Sequence, residues 1–267
     1  MKKVISKDGA QIAYDQVGQG PVVILVAGAL SDRSSTTQLS ALLAPHFTVI
    51  NYDRRGRGDS DDIKPYATLG EIEDIEALID ATGGSAYLWG LSSGAALALE
   101  AANQLSAKVK KLVLYEAPYF VDNSRPPVPV GYQEHLKELI AADRRGDAVK
   151  YFMRDGIGVP AIFVTLMRFM PAWSKLKEMA PTLLYDVALV VDYEHGKPLP
   201  TNRWTCVTMP TVVMCGGKSP QWMKNAMQAL ARVLPNAQHY TLEGQTHMVK
   251  APALAPALTE FFESRAS

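Results

Sequence analysis

The chain has 267 residues, 48% of them hydrophobic and 20% charged, which is the composition of an ordinary globular protein. Basic and acidic residues number 27 each, so the net charge is zero and we expect no binding to nucleic acid or to an anionic membrane. The two cysteines are too few for a disulfide framework, and no Cys/His spacing is typical of a zinc site. No segment has the length and apolar character of a signal peptide or a membrane span. We therefore expect one large cytoplasmic domain, with room for an inserted lobe and without a metal.

The N-terminal half alternates short apolar segments with helical patterns. Residues 22–26 are apolar on both sides, which is typical of a strand in a parallel sheet covered on both faces. The Asp8-Gly9 pair indicates a hairpin, and residues 69–81 have apolar side chains at helical spacing. The predicted elements are strands at Lys3–Ser6, Gln11–Asp15, Val22–Val26, Thr48–Tyr52, the segment before Gly90 and Lys111–Tyr115, with helices at Thr37–Leu43, Leu69–Ala81 and from Ser93.

The alternation stops at Ala117 and resumes after Thr205. Three prolines between residues 126 and 129 indicate a linker, and the stretch beyond them is helical, irregular and rich in large apolar side chains. These side chains suit either a core or the wall of a pocket for a substrate of low polarity. We predict a core domain at residues 1–116 and 206–267 and a helical cap insertion at 117–205. The last core elements are strands at Thr211–Cys215 and Gln238–Leu242 and helices at Gln221–Val233 and Ala253–Glu263.

The segment Gly90-Leu91-Ser92-Ser93-Gly94 follows an apolar strand and opens an alanine-rich helix. This context predicts a tight strand-to-helix turn that holds the hydroxyl of Ser92 clear of the backbone. Gly90 and Gly94 would remove Cβ atoms that collide in such a turn. The free N–H groups at the start of the helix would face negative charge forming on a bound substrate. We interpret Ser92 as a nucleophile, and the alternative is a structural turn with an idle serine.

Four segments of the chain together resemble the α/β-hydrolase family, and nearly the whole chain takes part. They are Ala27-Gly28-Ala29, residues 53–60, Gly90 to Gly94, and Gly244-Gln245-Thr246-His247-Met248. The resemblance implies an eight-stranded, mostly parallel sheet with a helical cap inserted after the sixth strand. It says little about the substrate, because this fold hosts many chemistries. A serine at the nucleophile position disfavours the dehalogenase and epoxide-hydrolase branches, which need a carboxylate there.

A serine nucleophile needs a base and a site for the oxyanion. Of the five histidines, only His247 lies in the loop after the last strand, where the chain order serine, acid, histidine places the base. The resemblance implies that the backbone N–H groups of Ser93 and Ala29 hold the oxyanion. Ala27 stands where the family usually has a histidine, which changes the support of that turn but leaves its main-chain donor.

The acid departs from the usual family pattern. In most of the family it follows the seventh strand in a Gly-x-x-Asp turn, and here Ser219 stands in place of the carboxylate. Some relatives carry the acid at the end of the sixth strand, where this chain has Glu116. A glutamate directly after an apolar strand needs a partner, so we predict Glu116 as the acid and Asp122 as the alternative. Glu116 could otherwise cap the strand or pair with a residue of the insertion.

The charged loop after the fourth strand has a structural interpretation. We expect Asp53 to shape this loop through local hydrogen bonds, as aspartate does in turns. The positive charges of the arginines at positions 54, 55 and 57 are followed along the chain by the acidic residues Asp59, Asp61 and Asp62.

The predicted function is a cofactor-independent serine hydrolase that cleaves a carboxylic ester or lactone of low polarity. Alternatives on the same fold are a C–C bond hydrolase or a lyase. An alternative of another class is a small-molecule receptor that keeps the fold without turnover. The natural substrate and the oligomeric state stay open at this point.

Overall fold

One eight-stranded sheet forms the centre of the protein in a computed structural model that describes residues 1–264. Its strands are β1 (Lys2–Ile5), β2 (Gln11–Val17), β3 (Val22–Val26), β4 (Thr48–Tyr52), β5 (Ala86–Leu91), β6 (Val109–Tyr115), β7 (Thr211–Gly216) and β8 (Ala237–Leu242). They follow the spatial order β1-β2-β4-β3-β5-β6-β7-β8. Only β2 is antiparallel to its neighbours, β1 and β4. The predicted α/β class with an eight-stranded, mostly parallel sheet is confirmed.

Ten α-helices accompany the sheet in the described part of the chain. They are α1 (Thr37–Leu43), α2 (Thr68–Ala81), α3 (Ser93–Gln104), α4 (Tyr132–Ala141), α5 (Arg145–Tyr151), α6 (Ala161–Met167), α7 (Trp173–Met179), α8 (Leu183–Val190), α9 (Gln221–Val233) and α10 (Ala251–Glu263). Apolar side chains of α2, α3 and α9 pack on one face of the sheet. Those of α1 and α10 pack on the other face. The continuous apolar run of β3 is therefore buried from both sides, as its sequence predicts.

Residues 117–205 lie between β6 and β7 and contain helices α4 to α8. A π-helical turn at Phe152–Ile157 follows α5. This segment has its own apolar cluster, which Leu30 of the core joins at the edge of the sheet. We call residues 117–205 the helical insertion. The last three residues of the predicted core domain, 265–267, lie outside the described part of the chain.

The parallel strands bring distant parts of the sequence to one edge of the sheet. Strands β3, β5, β6 and β7 pair in parallel, so their carboxyl ends point the same way. The segments that follow these ends begin at Ala27, Ser92, Glu116 and Gly217, and the loop after β8 lies beside them. This edge is the usual place for a ligand site in a parallel α/β sheet. Between residues 1 and 264, no helix has the length and apolar character needed to cross a membrane.

Candidate active site

Ser92 occupies a strained turn between β5 and α3. Its φ of 58° and ψ of −127° are unusual for a residue with a side chain. A Cβ at Gly90 would lie 2.4 Å from the carbonyl oxygen of Gly94, and a Cβ at Gly94 would lie 2.3 Å from that of Val26. Both glycines are thus required by close backbone approach, as the sequence pattern predicts. Helix α3 begins immediately after the serine, at Ser93.

His247 and Glu116 meet across the ends of two strands. Nδ1 of His247 lies 2.8 Å from Oε2 of Glu116, whose side chain is fully buried. Glu116 itself has a φ of 51°, so the backbone leaves β6 in the left-handed region. The imidazole is about one third exposed, at 32%. Glu116 therefore holds the imidazole at Nδ1, and the exposed part of the ring faces the cavity.

The second oxygen of Glu116 is held by the last residue of β7 and by the turn that follows it. Its Oε1 accepts a hydrogen bond of 2.7 Å from the backbone N–H of Gly216 and another from the hydroxyl of Ser219. The serine that replaces the usual aspartate therefore becomes a donor to the carboxylate on the neighbouring strand.

The alternative acid, Asp122, lies elsewhere. Its Oδ2 accepts a hydrogen bond of 2.7 Å from Nδ2 of Asn225, and its Oδ1 accepts from the backbone and hydroxyl of Ser124. These hydrogen bonds, that of the Ser124 hydroxyl foremost, lower the pKa of Asp122. The structure brings Glu116 to His247, and it leaves Asp122 in a separate surface turn.

The other four histidines do not reach this site. His46 Nδ1 lies 2.9 Å from the carboxylate of Glu263, and His239 Nε2 lies 3.5 Å from the thiol of Cys215. His135 lies on α4 beside Glu138, and His195 is an exposed residue of the insertion, after the 3₁₀ turn Val191–Tyr193. Among the histidines, only His247 lines the cavity that Ser92 also lines.

Two free backbone amides lie next to Ser92. Ala29, in the turn after β3, and Ser93 both line the cavity. Within residues 1–264, neither amide donates a hydrogen bond. The turn has no histidine at Ala27, and arginines support it instead: a guanidinium N–H of Arg57 donates to the carbonyl of Gly28 at 2.7 Å. This arrangement leaves two N–H donors available for an oxyanion.

The charged loop after β4 pairs with partners that its own sequence does not indicate. Asp53 shapes the loop as expected, since its carboxylate accepts hydrogen bonds from the backbone of Arg33 and Asp59. The three arginines of this loop are buried and pair with residues distant in the chain. Their partners are Glu71 and Asp186 for Arg54, Asp74 and Asp8 for Arg55, and Asp186 for Arg57. The nearby acidic residues Asp59, Asp61 and Asp62 balance the charge along the chain without pairing with them.

Asp186 of α8 joins the helical insertion to the residue after Ser92. Its Oδ1 accepts a hydrogen bond of 2.7 Å from the hydroxyl of Ser93, and both of its oxygens accept from Arg57 at 2.8 Å. Burial alone would raise the pKa of Asp186, but Arg57 and Arg54 outweigh it and keep that pKa below its usual value. Asp186 is therefore a buried anion that fixes α8 to the start of α3. The sequence carries no signal for this contact.

A cavity of about 300 Å³ lies above Ser92 and His247. Most of its wall is apolar. Phe152, Ile157, Val187 and Val190 of the insertion line it, together with Trp222 and Met223 of α9. Arg125, Tyr132 and Glu194 also line it, and sequence reasoning missed all three. In the described chain no hydrogen bond joins Ser92 to His247, although both side chains line this cavity.

Comparisons with known proteins show which proteins this chain is similar to. The model of a family described as "Alpha/beta hydrolase family" matches residues 23–259. A solved structure, that of an alpha/beta hydrolase from Sphaerobacter thermophilus DSM 20745, is 50% identical with a TM-score of 0.91, over 98% of this chain and 100% of that chain. The pimeloyl-[acyl-carrier protein] methyl ester esterase of Xanthomonas campestris pv. campestris (strain B100) is 27% identical over 255 residues, 92% of this chain and 97% of that protein. The uncharacterized hydrolase YraK of Bacillus subtilis (strain 168) is 32% identical over 112 residues, 40% of this chain and only 41% of that protein.

Proposed function

The chain belongs to the alpha/beta hydrolase family and is an enzyme of that family, and on this premise we propose that it hydrolyses a carboxylic ester or lactone of low polarity through an acyl-enzyme. The contact that carries the proposal is the 2.8 Å hydrogen bond between His247 and the buried Glu116. It supplies an oriented base in the cavity that also holds Ser92. The likeness to an esterase supports ester hydrolysis in general.

In the proposed reaction Ser92 is the nucleophile. Its Oγ attacks the ester carbon while His247 takes its proton at Nε2, and the negative charge moves to the former carbonyl oxygen. The amides of Ala29 and Ser93 stabilise that oxyanion. When the tetrahedral intermediate collapses, the bond to the leaving alcohol oxygen breaks, and His247 returns the proton to that oxygen. Water then attacks the acyl-enzyme by the same route and releases the acid.

Glu116 acts through the histidine. By accepting the Nδ1 proton, its carboxylate keeps Nε2 free to receive the serine proton. It also stabilises the imidazolium that forms after the transfer. The donors from Gly216 and Ser219 hold the carboxylate in the orientation that this requires.

We assign residues 117–205 the role of a cap. Phe152, Val187 and Val190 of this segment line the cavity opposite Ser92. Such an apolar cover excludes water from the oxyanion and suits an acyl group of low polarity. Asp186 binds Ser93, so α8 of the cap stays fixed to the start of α3.

The test combines turnover with detection of the acyl-enzyme. We expect the wild type to hydrolyse p-nitrophenyl acetate and butyrate, and intact-mass spectra of quenched reactions to show an acyl adduct on Ser92. Ser92→Ala should fold normally, lack the adduct and lose at least about 10³-fold in kcat. Asp122→Asn is the control and should keep wild-type rates.

Two results would contradict the proposal. Ester turnover by Ser92→Ala at near wild-type rates would exclude the nucleophile role. Labelling of Ser92 by a fluorophosphonate without turnover of either ester would favour the receptor function or C–C bond chemistry.

A further inference from the structure

Three polar side chains lie in the otherwise apolar part of the cavity. They are Arg125, Tyr132 and Glu194, and we call them the polar patch. Tyr132 is 3% exposed and Glu194 is 5% exposed. The hydroxyl of Tyr132 is a buried polar atom without a hydrogen-bond partner. The carboxyl group of Glu194 makes no hydrogen bond or ion pair with any residue between 1 and 264. Buried polar groups are rarely left unpaired without a functional reason.

Arg125 is a half-buried cation that lacks a counter-ion in the described chain. Its guanidinium donates to the carbonyls of Gly156 and Ile157. It also lies over the rings of Phe120 and Trp222, at 4.2 and 4.8 Å from their centroids. No carboxylate in residues 1–264 lies within ion-pair distance of it. Burial lowers the pKa of Arg125, whereas carboxylate partners raise the pKa of Arg54 despite its burial.

Glu194 does not supply the missing negative charge. Burial raises its pKa to about 8, although the nearby Arg125 opposes the shift. At neutral pH this carboxyl group therefore holds its proton and acts as a hydrogen-bond donor. The polar patch then has one positive charge and two neutral O–H groups, those of Tyr132 and Glu194.

Gly156 brings two members of the polar patch together. It belongs to the π-helical turn Phe152–Ile157, a geometry frequent at functional sites. Its carbonyl accepts from Arg125, and a Cβ at this position would lie 2.3 Å from the hydroxyl oxygen of Tyr132. The guanidinium of Arg125 and the Tyr132 hydroxyl thus flank one glycine. Only a residue without a side chain leaves both groups in place.

We propose that the polar patch binds a carboxylate group at one end of an otherwise apolar substrate, so that the enzyme prefers esters that carry a free carboxylate. This inference rests on the proposed function, because it names the substrate class of the same cavity. A carboxylate would neutralise Arg125 and accept from Tyr132 and Glu194. An ammonium group would be repelled by the guanidinium. An apolar group would leave the hydroxyl and the carboxyl group unpaired.

The size of the cavity limits the length of the substrate. A volume of about 300 Å³ is at the small end of ligand cavities. Ser92 and the polar patch share this one cavity, so the ester and the carboxylate belong to a short molecule. Half-esters of dicarboxylic acids have this form.

The test compares two esters that differ in one group. Monomethyl adipate carries the carboxylate, and methyl hexanoate has a methyl group in its place. We expect wild-type kcat/KM at pH 7, measured by acid release in a pH-stat, to favour monomethyl adipate by about 10- to 100-fold. Arg125→Met should reduce this preference to less than about threefold. Arg145→Met, which changes a surface arginine of the same insertion, is the matched control.

Two substitutions separate the roles of the hydroxyl and carboxyl groups. Tyr132→Phe should weaken the preference, because it removes one donor and leaves the ring. Glu194→Gln should retain most of the preference, because the amide is also neutral and also donates, whereas Glu194→Leu should lose it. Loss of the preference in Glu194→Gln would show that an ionised glutamate is needed, and it would overturn the proposal.

Binding distinguishes failure of this inference from failure of the proposed function. The variant Ser92→Ala should bind monomethyl adipate by calorimetry at least about 10-fold more tightly than methyl hexanoate, whether or not the wild type cleaves either ester. Equal affinities, or an equal effect of Arg125→Met on both esters, would overturn the polar patch as a carboxylate site. A clear affinity difference without turnover would leave the site standing and reject the hydrolase mechanism.

Discussion

Glu116→Gln tests the proposed triad with the smallest change in shape. Because Oε1 of Glu116 accepts from both Gly216 and Ser219, the oxygen of a glutamine must stay on that side. Its NH₂ group then faces Nδ1 of His247. The imidazole can only accept from this group by moving its proton to Nε2. An Nε2–H cannot take the proton of Ser92.

The structure gives the size of the expected effect. Rotating the glutamine amide by 180° would restore the His247 tautomer with a free Nε2. It would also leave the buried N–H of Gly216 without an acceptor, which costs about 1–3 kcal/mol. Loss of the negative charge removes a charge-assisted hydrogen bond to the imidazolium, about 1.5–3 kcal/mol more. The two costs together predict a decrease in kcat/KM of about 10²- to 10⁴-fold.

The assay is steady-state hydrolysis of p-nitrophenyl butyrate, with thermal unfolding measured on the same samples. Glu116→Gln should fold and unfold at a temperature no lower than the wild type, because the side chain keeps its shape and two of its contacts. Asp122→Asn makes the same chemical change at the alternative position and should keep kcat/KM within about twofold. A Glu116→Gln enzyme within 10-fold of wild-type activity would refute the assignment, and a large loss in Asp122→Asn alone would transfer the role.

Three further predictions concern stability. Gly94→Ala should lower the free energy of unfolding by about 3 kcal/mol in urea titrations, because its Cβ would lie 2.3 Å from the carbonyl oxygen of Val26; wild-type stability would show that this backbone can move apart. Asp186→Ala should cost about 3–5 kcal/mol at pH 7, because Arg54 and Arg57 lose a shared buried partner, while the exposed Asp192→Ala should cost almost nothing. The free energy of unfolding should fall as the pH rises from 4.5 to about 8, because folded Glu194 retains a proton that the unfolded chain releases near 4.5. The decrease is at most about 5 kcal/mol. A pH profile of Glu194→Gln as steep as that of the wild type would refute this prediction.

The core elements were predictable because the local spacing of apolar residues indicates which of their faces are buried. The strand Val22–Val26 and the helix Gln221–Val233 lie where the sequence predicts them. In both, the repeat of apolar side chains matches the faces that the sheet covers. The turn at Ser92 was predictable for another local reason, the close approach that its two glycines allow.

Contacts between distant segments were less predictable. The sequence places Glu116 at a strand end, but the donors that hold it come from the turn after β7, 100 residues later. Asp186 pairs with Ser93 across 93 residues. The spacing of apolar residues within a helix does not indicate which distant element packs over a buried charge. No sequence pattern indicated Arg125 and Glu194 either. They were singled out because neither side chain has an ion-pair partner in the described structure, which a sequence does not show.

The buried pairing of Asp186 also restricts how a substrate can reach the serine. Movement of α8 away from the sheet would separate Arg54 and Arg57 from the carboxylate of Asp186. Leaving these buried cations without this shared partner would cost about 3–5 kcal/mol. Helix α6 and the turn after it carry apolar side chains that are at least half exposed: Ile162, Phe163, Leu166, Phe169 and Met170. We therefore expect the insertion to open by rotation about α8, and we call residues 161–170, which move away from the core, its free edge. A disulfide that locks the free edge should block turnover, whereas one beside α8 should leave it intact.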